Sequence, residues 1–112
     1  MTENDFRELA LSLPQTEERS HMAHPDFRAN GKIFATLRHP AKGWGMVKLT
    51  PDQQDMFVEL APDAFQPVKG GWGVKGATNV NLKNATRKIT REALMTAWTN
   101  VTSPKGRGKA SR

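Results

Sequence analysis

The dipeptide Asn30-Gly31 constrains this chain more than any other pair of residues in it. Both central positions of a type I′ turn need positive φ, which Asn and Gly tolerate better than other residues. The flanking segments, Asp26–Ala29 and Lys32–Arg38, then fold back on each other as an antiparallel hairpin. In the second segment Ile33, Ala35 and Leu37 alternate with Lys32, Phe34, Thr36 and Arg38. The alternation predicts one aliphatic face and one face that mixes Phe34 with charge. His39-Pro-Ala-Lys-Gly43 reads as the next loop and Trp44–Leu49 as a further strand. From Thr16 to Leu49, three or four strands follow one another as a meander.

Helical signals surround this block. Residues 3–12 read as a first helix: Phe6, Leu9, Ala10 and Leu13 keep helical spacing, Thr2 with Asp5 forms a capping box, and Pro14 ends the run. Thr50-Pro51-Asp52-Gln53 opens a second helix, running to about Leu60 and predicted to bury Met56, Phe57 and Leu60. Phe65–Val68 and Ala77–Leu82 read as strands separated by the glycine-rich loop Lys69–Gly76. Thr90 is the expected cap of a last helix ending near Val101, with Ala93, Leu94, Ala97 and Trp98 on its apolar stripe. The expected architecture is α+β, an antiparallel sheet with helices on one face, in the order α-β-β-β-β-α-β-β-α.

A chain of 112 residues suits one domain, placed at 1–102, with 103–112 as a disordered basic tail. The absence of cysteine excludes disulfides, thiol catalysis and thiolate metal sites together. No apolar run approaches the length of a membrane span, and an acidic N-terminal stretch is unlike a secretory leader. A cytosolic protein with no membrane association is expected.

Charge is polarised along the chain. Ten of the eleven acids lie at or before Asp63, and Glu92 is the exception. The segment from Ala64 to Arg91 carries Lys69, Lys75, Lys83, Arg87, Lys88 and Arg91 without an acid. These cations surround a loop that holds Trp72, and cation plus stacking platform is the chemistry of a nucleic-acid contact. A solvated basic face with Trp72 closing the core is the plainer reading of the same residues. Trp44 and Trp98 are assigned to the core.

Other motifs carry less. Gly71-Trp-Gly73-Val-Lys-Gly76 spells a dinucleotide fingerprint, but a strand is expected after it and no acid follows at the ribose-binding distance. His21, His24 and Asp26 could suggest a metal site, yet two strand residues three apart point to opposite faces, so none is assigned. Ser12 and Ser20 lack a base placed beside them, and the adjacent Glu17 and Glu18 diverge on a strand. No catalytic residue, cofactor or metal is predicted.

Several strings, taken in order, resemble a known family. They are Leu11-Ser-Leu-Pro14, Thr16-Glu17, Gly31-Lys32-Ile-Phe-Ala35, Met46-Val-Lys-Leu49, Phe65-Gln-Pro67, Gly71-Trp72-Gly73, Val80-Asn-Leu82 and Ala97-Trp98. Over about residues 3–101 the chain is similar to the MmcQ/YjbR family of small bacterial proteins. The resemblance implies a frataxin-like (CyaY-like) fold with a double-wing arrangement. Family members are commonly labelled DNA-binding, by analogy of fold. Frataxins use an acidic ridge for iron, and here Glu3, Asp5, Glu8, Glu17 and Glu18 are a thinner set interrupted by Arg7 and Arg19.

The expectation is a non-enzymatic DNA-binding accessory protein using Lys69, Trp72, Lys75, Lys83, Arg87, Lys88 and Arg91. The alternative is a protein-interaction or small-ligand module, with the sheet face or the cleft near Phe34, Trp72 and Arg38 accepting an acidic or aromatic partner.

Overall fold

The computed structural model describes residues 1–103. The chain runs α1 (Glu3–Leu11), β1 (Thr16–His21), β2 (His24–Ala29), β3 (Lys32–Leu37), β4 (Trp44–Lys48), α2 (Pro51–Leu60), β5 (Phe65–Pro67), α3 (Gly71–Val74), β6 (Ala77–Asn81) and α4 (Arg87–Thr102). The six strands form one antiparallel sheet in the order β1-β2-β3-β4-β6-β5. The α+β class and the strand meander follow the sequence expectation. The expected tail beyond Ser103 lies outside the described residues.

Both capping boxes close as the sequence requires. Thr2 and Asp5 exchange side-chain and backbone hydrogen bonds at the start of α1, and Thr50 and Gln53 do so at α2. Asn30 and Gly31 both take positive φ, +56° and +76°.

One face of the sheet carries the core. Phe27, Ala35, Leu37, Val47, Phe65 and Val80 meet Phe6 from α1, Phe57 from α2 and Ala93, Leu94 and Ala97 from α4. Each fully buried Phe contributes about 1.5–3 kcal/mol of hydrophobic transfer. Trp98 packs at the edge of this core, and its Nε1–H donates to the Pro14 carbonyl at 3.0 Å.

Five local expectations are corrected. The glycine-rich segment contains a four-residue helix, α3, because the chain finds internal hydrogen-bond partners between Gly70 and Gly76. The last helix begins at Arg87, capped by the Thr86 side chain, and Thr90 is buried inside it. Its apolar stripe extends one turn back to Ile89, which packs against the core. On α2 Met56 and Leu60 are 51% and 62% exposed, and Gln54 is buried instead. Trp44 is half-buried outside the core cluster, since its neighbour Gly45 is the residue facing Phe6.

The fifth correction concerns β3. Phe27 pairs with Ala35 but Arg28 pairs with Ile33, so Phe34 is an extra residue in a bulge. The bulge reverses the alternation on its N-terminal side. Phe34 is fully buried in the core, and Ile33 turns to the opposite face beside Thr36.

Candidate functional site

The face of the sheet away from α1, α2 and α4 is covered at one corner by α3. Two connections hold α3 there. The Gln54 Nε2 amide, buried under α2, donates to the carbonyls of Gly73 at 3.0 Å and Ala77 at 2.9 Å. Gly76 has φ +114° and passes so close to the chain just after β4 that an added Cβ would lie 2.0 Å from the Leu49 carbonyl oxygen. A side chain is excluded there on both counts.

This anchoring turns Trp72 outward, leaving it 61% exposed. Lys48 Nζ lies 5.6 Å from the indole ring centroid, within cation–π range. Lys48, Leu49, Trp72, Lys75 and Ala77 line an open cavity of about 220 Å³. On the inner side of the indole, a smaller cavity of about 50 Å³ is lined by His21, Ile33, Thr36, His39, Met46, Lys48 and Trp72. The two cavities share Lys48 and Trp72, so they form one surface.

The rest of that surface is polar. His21 and His24 are direct partners across the β1–β2 pairing, with ring centroids 5.9 Å apart. His39 lies next, its ring 6.3 Å from that of His24. The expectation that His21 and His24 diverge is overturned, because they do not share a strand. Met22 and Ala23 form a two-residue turn with φ of +50° and +67°, which puts both imidazoles on one face. Met22-Ala23 lacks the glycine or asparagine that signals such a turn in sequence.

Asp26 is completely buried in this face, and its carboxylate accepts from Arg28 Nε at 2.8 Å and Nη2 at 3.2 Å. Its other contact is His21 Nδ1 at 2.7 Å. The Arg28 hydrogen bonds, outweighing the effect of burial and helped by His21, hold the Asp26 carboxyl below its ordinary range. Asp26 in turn raises the guanidinium of Arg28. Among the described residues no group of three or more His, Asp or Glu has the arrangement of a metal site.

The predicted basic residues divide between two places. Lys69 leads into α3, and Trp72 and Lys75 belong to it or its cap. Lys83 lies at the opposite end of β6, beyond Asn81. Arg87, Lys88 and Arg91 are on α4, the helix packed against the other face of the sheet. Arg87 Nη1 is paired with Asp5 at 2.9 Å, and Lys88 lines a depression with Leu60, Thr86, Ile89 and Glu92. The alternative cleft does not assemble: Phe34 is in the core, and Arg38 Nε pairs with Glu3 at 3.1 Å.

Glu3, Asp5 and Glu18 of the acidic set are likewise committed to neighbours. Burial works against ionisation of Glu3, but Arg38 and the Gly43 N–H hold its carboxyl below the ordinary range. Asp5 is held low first by the Thr2 backbone N–H, with the Thr2 hydroxyl and Arg87 adding to it. Glu18 pairs with Arg7 at 2.9 Å.

Sequence reasoning missed Lys48 and His39. Lys48 shares the strand parity of Trp44 and Met46, and with Met46 it lines the open sheet face. His39, in a loop expected only to connect strands, gave no such signal.

The YjbR family model matches residues 11–100. Among solved structures, Deinococcus radiodurans protein DR2400, with a domain described as DUF419, superposes with a TM-score of 0.74 at 19% identity. The match covers 96% of this chain and 83% of that one, and it shows the shared fold. No curated protein matches the chain.

Proposed function

This chain belongs to the YjbR family, and we propose that it is a non-enzymatic DNA-binding accessory protein that uses the α3 corner of its sheet. The observation that carries the reading is the exposed Trp72 indole with Lys48 and Lys75 on the same cavity. An indole held outward by a rigid turn offers a π-face to a base or sugar, and the lysines neutralise adjacent phosphates. Lys69 flanks this surface at the start of the α3 turn. Lys83, Arg87, Lys88 and Arg91 contribute to the general positive field and make no contact at this corner.

Fluorescence anisotropy with single-stranded and duplex oligonucleotides tests the reading at two salt concentrations. Three local cations predict that log K falls with log[salt] at a slope of about −2 on a single strand and about −3 on a duplex. Trp72→Ala weakens binding by about 1–3 kcal/mol, roughly five- to 150-fold. No binding of either oligonucleotide at low salt rejects the proposal. Salt-tolerant retention of a small molecule in native mass spectrometry would favour the ligand-module alternative, although the cavity is smaller than the roughly 300–1,000 Å³ of most such sites.

A further inference from the structure

We infer that the row of His21, His24 and His39 is a phosphate-recognition site on the open sheet face, and that it takes up a proton when a phosphate group occupies it. For the identity of the phosphate donor the inference rests on the nucleic-acid reading; for its chemistry it stands on the row itself. All three histidines of the chain are in this row, in successive ring contact. The row runs from the β1–β2 turn to the cavity under Trp72, which His21 and His39 both line. A strand stacked on Trp72 would therefore carry a neighbouring phosphate toward the imidazoles.

The charged groups facing the row favour an anion. From β1, Glu17 and Arg19 lie opposite Arg28 and Asp26 of β2, on the side that carries His21 and His24. Asp26 is already taken by Arg28 and His21, and Glu17 is opposed by Arg28. Lys48 reaches in from β4, and Lys75 stands at the α3 corner. Among the described residues, Glu17 and Asp26 thus face Arg19, Arg28 and Lys48 on the row itself, with Lys75 at the adjoining corner.

The His39 ring is placed to respond. His39 Nδ1 lies 3.1 Å from Asn79 Oδ1, an acceptor, which puts its proton on Nδ1 and leaves Nε2 to gain one. His24 Nδ1 is buried and has no hydrogen-bond partner among the described residues. Charging adjacent imidazoles is opposed by their mutual repulsion, and a phosphate among them offsets it. Occupancy and protonation therefore support each other.

Two arms test this. In the first, affinity for a single-stranded oligonucleotide is measured at pH 6 and pH 8. The natural protein binds about tenfold tighter at pH 6, equivalent to about 1.4 kcal/mol. In His24→Asn/His39→Asn that gain disappears, and His39→Gln alone reduces it, a second variant that spares the buried His24. In the second arm, inorganic phosphate is titrated at pH 6 while the imidazole Cε1–H resonances are followed by NMR. Saturable shifts of His24 and His39 are expected.

A pH gain unchanged in both variants, or imidazole resonances unmoved by phosphate, overturns the inference. If phosphate shifts the resonances saturably but no oligonucleotide binds, the site is one for free phosphate or a phosphomonoester. The nucleic-acid reading then fails separately.

Discussion

The two halves of the basic stretch look alike in sequence and are used differently by the fold. Lys69–Lys75 surrounds a four-residue helix pinned by Gln54 and Gly76 at a corner of the open sheet face. Lys83–Arg91 leads into α4, the longest helix among the described residues, where Arg87 answers an early acid and Lys88 and Arg91 stay exposed. The first half sits beside an exposed indole and a lysine from another strand, whereas the second is a solvated helical surface. Equal charge density along a chain therefore does not imply equal opportunity to bind. A ligand needs cations converging from several elements, and Lys48 with Lys75 provide that at one corner.

The comparison breaks most sharply at Gly76. Gly76→Ala forces a side chain into positive φ and against the Leu49 carbonyl, so stability falls by about 3 kcal/mol or more. Thermal denaturation measures the loss, and Trp72 fluorescence should report a displaced α3. A destabilisation under about 1 kcal/mol would mean that the α3 corner is not held by this contact.

Asp26 is the next largest. Replacing it by Asn removes the ionised acceptor for Arg28 and His21 in a completely buried position, and about 2–3 kcal/mol is expected to go. Because the folded state holds this carboxyl below its ordinary 3.8, the unfolded chain takes up the proton first on acidification. The stabilisation is complete above that value and is lost as pH falls through the lower, folded one. Urea denaturation across this acid range should show a slope in the natural protein that is smaller in Asp26→Asn. Equal slopes would place the acid sensitivity elsewhere.

The smallest effect sharpens the contrast from the helical side. Arg87→Ala removes an exposed ion pair with Asp5 and should cost less than about 1 kcal/mol of stability. Its oligonucleotide affinity should stay within about twofold of the natural protein, measured by anisotropy. A tenfold loss would move the binding surface to α4.

Local chemistry was readable where a few neighbouring residues decide the outcome. Asn30-Gly31 set one hairpin, and Thr2 with Asp5 and Thr50 with Gln53 set two helix starts. Trp72, Lys69 and Lys75 were likewise visible as an aromatic residue among cations. The histidine row was hidden for two reasons. Its turn, Met22-Ala23, takes positive φ without a turn-forming residue, and His39 reaches the row through a loop. The bulge at Phe34 was hidden as well, since alternation in one strand does not reveal how its partner is paired.

What the sequence determined alone is the kind of elements, most of their order, and the one-sided distribution of acid and base. Those depend on hydrogen bonds and periodicities that act within a few residues. Tertiary structure decided which cations face the indole and which are spent on early acids. It also decided that Gln54 goes inward while Met56 goes outward, and that three separated histidines meet. Each of these depends on strand register and on contacts between residues far apart in the chain, and no short stretch of sequence contains them.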